Sequence, residues 1–112
     1  MSKNYDIAIV GGGNAGLNLA KRLTQSNAPN KIIVIEPIAA INKQANWCSW
    51  HNEESLKKNS SSIKGIWDKW RIIDQNNVIE HSSLHYKYAC IDAAKYLSEI
   101  ENFLIARDVE IL

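Results

Sequence analysis

The chain has 112 residues, 46% of them hydrophobic, and 13 Lys and Arg against 12 Asp and Glu give a formal net charge of +1. That length holds one domain at most, and so balanced a charge excludes the basic footprint of a nucleic-acid-binding protein. Two cysteines, Cys48 and Cys90, stand far apart in the sequence, which argues against a disulfide framework or a metal site and fits a reducing compartment.

Lys3 ahead of an apolar run resembles the start of a signal peptide, but Asp6 and a triple glycine interrupt it. No uncharged apolar run approaches the length of a membrane-spanning helix. The expected location is therefore cytoplasmic, or on a membrane without crossing it.

Tyr5 to Ala20, YDIAIVGGGNAGLNLA, reads as a strand, a glycine turn and the start of a helix. Ile7, Ala8, Ile9 and Val10 form a short apolar run that stops at glycine. Gly11, Gly13 and Gly16 fit G-x-G-x-x-G: the first makes the tight turn, the second admits a pyrophosphate close to backbone, and the third lets the helix lie near the strand. The stretch Gly11, Gly12, Gly13, Asn14, Ala15, Gly16 is the candidate phosphate cradle, with free N–H groups and the positive helix end facing the ligand. No charged side chain lies between Gly11 and Ala20.

The helix is expected from Asn14 to Ser26, its inner face carrying Gly16, Leu19, Ala20 and Leu23, and Asn27, Pro29 and Asn30 turn the chain. Lys31 to Glu36, KIIVIE, is a continuous β-branched run, as a strand buried on both faces requires. It ends in Glu36, placed to accept hydrogen bonds from both ribose hydroxyls of an adenosine and to repel a 2′-phosphate, which favours FAD or NAD over NADP. A glycine fingerprint alone is weak; strand, helix, second strand and acid together make it specific.

After Ile38 to Ile41, a short apolar piece, the chain turns polar and tryptophan-bearing from Asn42 to Ser62, with Lys57 to Ser62 expected as an exposed loop. All four tryptophans fall between positions 47 and 70, as Trp47 with Trp50 and Trp67 with Trp70. Two readings stand: packing in a core or interface, and a lining for a large apolar ligand. Trp70 to Ile73 and Val78 to Glu80 read as a hairpin around a four-residue turn, Asp74 to Asn77. His51, His81 and His85 share no metal spacing, and Ser60 to Ser62 has no nucleophile context.

Asp92 can cap a helix over Ala93 to Ile105, whose apolar face is Ala93, Tyr96, Leu97, Ile100 and Leu104. Val109 to Leu112 then opens a third strand. The expected fold is α/β: the N-terminal part of a Rossmann-type FAD/NAD(P)-binding domain, parallel strands in the order 3-2-1, with residues 42–90 as an inserted Trp-rich segment that begins the substrate-side region. The first strand would stand at an edge although its run is apolar, so the sheet is expected to continue in a longer protein.

The fingerprint continued to Ala20 and followed by Glu36 resembles FAD-binding oxidoreductases. NWCSWHNEE, Asn46 to Glu54, is similar to the Trp-x-aromatic/His segment of bacterial lycopene beta-cyclases, and IWDKWRI, Ile66 to Ile72, resembles the tryptophan stretch that follows in that family. His85 to Leu104 is similar to its Tyr-x-x-Ile segment, with Tyr88 and Ile91 matching, followed by a helix. The resemblance implies an enzyme that closes the ends of lycopene into β-ionone rings without net redox change. It also implies reduced FAD with NAD(P)H as reductant, an apolar polyene substrate, and peripheral association with the inner face of the cytoplasmic membrane. No catalytic residue is assigned: the family's acidic segment has no counterpart, and Glu53 and Glu54 lie in a lysine- and serine-rich stretch. Other readings are a flavin hydroxylase or polyene dehydrogenase, or an inactive nucleotide-binding fragment.

Overall fold

The computed structural model describes residues 3–26 and 31–112. The turn expected at Asn27, Pro29 and Asn30 lies outside them. The elements run β1 (Ile7–Val10), α1 (Asn14–Gln25), β2 (Ile32–Ile35), β3 (Asn46–His51), α2 (Glu53–Lys58), β4 (Ile63–Trp67), β5 (Lys69–Asp74), β6 (Asn77–Ser82), β7 (Lys87–Asp92), α3 (Ala93–Ile105) and β8 (Glu110–Ile111). The fold is mixed α/β and divides into two compact units, one from Met1–Gln44 with Ala94–Leu112, the other Ala45–Ala93.

The first unit is built on a parallel sheet in the order β1-β2-β8. Its middle strand carries the densest burial: Ile32, Ile33 and Val34 are all buried, which explains the unbroken β-branched run. β1 shows the alternation of a strand covered on one side, with Ile9 buried and Val10 83% exposed. Leu17 and Ala20 bury the inner face of α1; Leu19, expected there, is exposed. α3 buries Leu97, Ile100 and Leu104. α1 and α3 touch through Asn18, whose amide donates to the Tyr96 hydroxyl at 3.2 Å, and through Lys21, 5.4 Å from the Phe103 ring centre.

α3 ends in a Schellman cap. Val109 N–H donates to Leu104 C=O at 3.1 Å and Asp108 N–H to Ile105 C=O at 3.1 Å, while Asp108 takes φ 61°. Glycine is the usual residue at that left-handed position, and aspartate tolerates it better than most. Val109 and Leu104, the hydrophobic pair that accompanies such caps, are both buried.

The second unit holds an antiparallel sheet in the order β3-β7-β4 and a separate β5-β6 hairpin. β4 carries a register shift between Ile63 and Gly65. The expected four-residue turn of the hairpin is corrected to two residues, because Asp74 and Asn77 are themselves a register pair. The expected exposed loop over Lys57 to Ser62 is also corrected: Lys57 and Lys58 close α2, and Ser62 is buried in a 3₁₀ turn. The cause is local. Asn52 caps α2 by accepting from Ser55 N–H, Glu53 and Glu54 occupy the first turn, and the lysines occupy the last, matching the helix dipole at both ends.

Because Asp108 occupies a backbone conformation that costs a side chain about 1 kcal/mol or more, Asp108→Gly is expected to stabilise the chain by up to about 1 kcal/mol in urea unfolding. Asp108→Val should destabilise it.

Candidate functional site

The parallel register sets the site. β1 and β2 pair from Ile7↔Ile32 to Val10↔Ile35, so both strands end at the same level. Gly11 N–H continues the ladder to Ile35 C=O at 2.9 Å, and Glu36 N–H donates across to Leu112 C=O at 2.7 Å. The glycine turn and Glu36 are thereby held side by side at the carboxyl ends of the strands, where open α/β sheets bind ligands.

Each glycine has a distinct geometry. Gly11 has φ +102°, which a side chain rarely adopts. A Cβ on Gly16 would lie 2.0 Å from the Gly11 carbonyl oxygen and 3.3 Å from Ile9, so only glycine lets α1 start this close to β1. Gly12 is buried against Glu36, whose Cβ would be 2.8 Å from an added methyl. Gly13 has open space where its Cβ would stand. Gly13 is also the N-cap of α1 and supplies no side-chain cap, and no acidic residue lies in the first turn. The N–H groups that open the helix therefore face outward without a carboxylate competing with an anion. Asn14 and Ala15 are exposed beside it. The Asn14 side-chain oxygen and carbonyl both accept from the Asn18 amide at 2.8 Å, which fixes the side chain along the helix.

The structure thus sets Gly11, Gly12, Gly13, Asn14, Ala15, Gly16 and Glu36 at the carboxyl ends of β1 and β2, and adds a residue the sequence did not disclose. Lys43 leaves the 3₁₀ turn Ala40–Asn42 and reaches back over the cradle. Its ammonium pairs with the Glu36 carboxylate and donates to the Gly12 carbonyl at 2.6 Å, with both side chains 17% exposed. The Lys43 hydrogen bond holds the Glu36 carboxyl below its ordinary value of 4.5; burial opposes this, while the lysine's charge and a Gly12 backbone hydrogen bond add to the lowering. Lys43 also offsets the charge of Glu36, so exclusion of a 2′-phosphate does not follow from the acid alone. A lysine seven positions past the acid carries no sequence signature; only the turn at Ala40–Asn42, tied by Ala40 N–H to Glu101 at 3.1 Å, aims it inward.

In the second unit the tryptophans regroup. Trp47 opposes Ile91 and Trp50 opposes Tyr88, an odd offset that puts Trp47 and Trp50 on opposite sheet faces. The aromatic cluster is instead Trp50 with Trp70 (ring centres 4.3 Å) and with Tyr88 (4.9 Å), extended by Trp67 on Tyr88 and by His81 stacked on Trp70. His51 is held between the Ser49 and Ser55 hydroxyls at 2.9 and 2.7 Å. Among the described residues no three His, Cys, Asp or Glu side chains gather as metal ligands, and no helix is long and apolar enough to cross a membrane.

The family model described as lycopene cyclase protein matches residues 6–112. The chain belongs to the lycopene cyclase family. Among curated relatives of this cyclase-family chain, a chloroplastic lycopene beta cyclase from an Oncidium hybrid cultivar is 30% identical over 110 residues, 97% of the chain. The chain spans 22% of that relative's length. Among solved structures, a geranylgeranyl bacteriochlorophyll reductase-like protein from Thermoplasma acidophilum shares the fold at TM-score 0.67 and 17% identity, over 96% of this chain and 29% of that one. Of the segments that resemble the family, Asn46 to Glu54 runs through β3 into the start of α2, and Tyr88 and Ile91 lie on β7, the strand paired with β3.

The depressed Glu36 carboxyl contributes stability that is fully present above 4.5 and is lost as pH falls through its lowered folded value. Lys43→Met should therefore be less stable than the parent at neutral pH, with the gap narrowing in urea melts as the pH is taken below 4.5. A gap unchanged with pH would show that the pair contributes nothing beyond packing.

Proposed function

We propose that this chain supplies the adenosine and pyrophosphate contacts of a bound FAD, and that it serves a lycopene cyclase which closes the ends of lycopene into β-ionone rings. The observation that carries this is the coincidence, at the ends of β1 and β2, of an open glycine turn leading an uncapped helix with a carboxylate at ribose distance in the fingerprint. The residues fit an adenine dinucleotide. Gly11, Gly12 and Gly13 let backbone approach the pyrophosphate, and the N–H groups of Asn14, Ala15 and Gly16 face it. Glu36 accepts from the ribose hydroxyls, with Lys43 holding the carboxylate ionised and oriented.

Reduced FAD, maintained by NAD(P)H, supplies when bound the negative charge that stabilises cationic character in a cyclisation without net redox change. This chain's own part is to bind and orient. The proton donor is assigned to no residue of this chain: Glu53 and Glu54 occupy the exposed first turn of α2, where dipole matching accounts for them. Residues 42–90 begin the substrate side. Trp50 and Trp67, 44% and 49% exposed, offer the π surface that an apolar polyene cation would face. A substrate dissolved in lipid places the enzyme peripherally on the inner face of the cytoplasmic membrane.

Two measurements test this. FAD titrated into the purified chain should bind with matched stoichiometry, and Glu36→Gln should weaken binding about tenfold or more, as loss of a charged hydrogen-bond partner does. Equal affinity in the variant would remove Glu36 from the ribose. A full-length protein bearing this segment, given lycopene, FAD and NADPH, should yield ringed product; desaturation or hydroxylation with no ring would assign it instead to the polyene dehydrogenases or flavin hydroxylases.

A further inference from the structure

Cys48 and Cys90, remote in sequence, are directly opposed in the antiparallel register of β3 on β7. They share a sheet face with Trp50 and Tyr88, the next opposed pair on that face. Directly opposed Cβ atoms on neighbouring antiparallel strands stand about 4.5–5.5 Å apart, and a disulfide needs about 3.5–4.5 Å, so a small local shear closes the difference. Both thiols are free, Cys48 is exposed and Cys90 half-buried, which gives a small oxidant access to one sulfur with the second already beside it. On the other flank of Cys90 the register partner is Gly65, which has no side chain of its own, and the Trp67 ring lies over it. The neighbouring Cys90 thiol pushes the Cys48 thiol up, with burial adding to it. A thiol pushed up in this way yields less thiolate, so what favours closure is the second sulfur standing beside the first across the strands, not an activated cysteine.

We propose that Cys48 and Cys90 are a redox modification site that closes reversibly into a cross-strand disulfide when the chain meets a hydroperoxide. One thiolate attacks the peroxide oxygen; the O–O bond breaks, leaving a sulfenic acid on that cysteine and releasing water or an alcohol. The second sulfur attacks the sulfenic sulfur, the S–S bond forms, the S–O bond breaks, and the departing hydroxide leaves as water with the proton of the second thiol. Two thiols give up two electrons and two protons, and the peroxide takes both. A reducing dithiol restores the thiols by exchange. Closure fastens β3 to the central strand β7 next to the aromatic cluster.

The test uses the purified chain and hydrogen peroxide at stoichiometric concentration. Intact mass should fall by two hydrogens in the monomer, both thiols should become resistant to alkylation, and dithiothreitol should restore them. A peptide map should contain the Cys48–Cys90 crosslink, and indole fluorescence should drop as the disulfide forms beside Trp50 and Trp67. Closure should be faster in the folded chain than in urea, and neither Cys48→Ser nor Cys90→Ser should lose two hydrogens as a monomer. Equal rates folded and unfolded, thiols that still alkylate after peroxide, oxygen added without a crosslink, or a disulfide found only between two chains would each overturn the proposal. The rates and the map are read on the unaltered chain, so they decide the matter even where a serine variant folds poorly.

Discussion

The feature on which the first unit depends is the level ending of two parallel strands. Val10 pairs with Ile35, and the next residues, Gly11 and Glu36, carry on hydrogen-bonding to Ile35 and Leu112 while their chains diverge. A shift of one residue in that register that brought Lys31 to the buried level of Ile32 would bury its charge, so burial helps fix where the turn and the acid meet. The geometry of the turn follows from packing, which leaves Gly13, Asn14 and Ala15 exposed at its outer side.

Charge completes the arrangement. Glu36 is backed by Lys43 and touched by buried Gly12, so its carboxylate is held in place by the chain's own contacts. A free glutamate would lose side-chain freedom on binding; one already fixed by an ammonium has spent that entropy in folding. The same lysine binds the Gly12 carbonyl, so acid, cation and turn act as one hydrogen-bonded group rather than three independent contacts.

Much of this unit is legible in the sequence, because its signals are local. The β-branched run of β2, the glycine spacing before α1 and the apolar stripe of α3 each encode an element without reference to distant residues. The second unit is less legible. Its strands β3, β4 and β7 mix polar and apolar residues, and β3 has no buried residue, whereas Ala89 and Ile91 of its partner β7 lie inside. The spacing of Trp47 and Trp50 looks like a pair, yet odd separation in a strand sends them to opposite faces. The cap at Asn52, with acids ahead of lysines, was a readable helix signal hidden in a polar stretch. Lys43 over the cradle and Cys48 opposite Cys90 are products of register and tertiary direction, which no spacing along the chain reports.

The cap on α3 also bears on how this fold can vary in length. Leu104 accepts from Val109, and β8 begins at Glu110, whose carboxylate pairs with Lys3 and accepts from the Tyr5 hydroxyl. Helix end, turn and strand are spliced with no slack residue between them. Inserting one residue into α3 would swing its buried stripe by about 100° on one side of the insertion or slide β8 along β2 on the other. The β5-β6 turn, two exposed residues long, has no such obligation. Insertions and deletions along this lineage should therefore gather at the hairpin tip and be absent between Ala93 and Ile111, making length there a stricter signature of descent than residue identity.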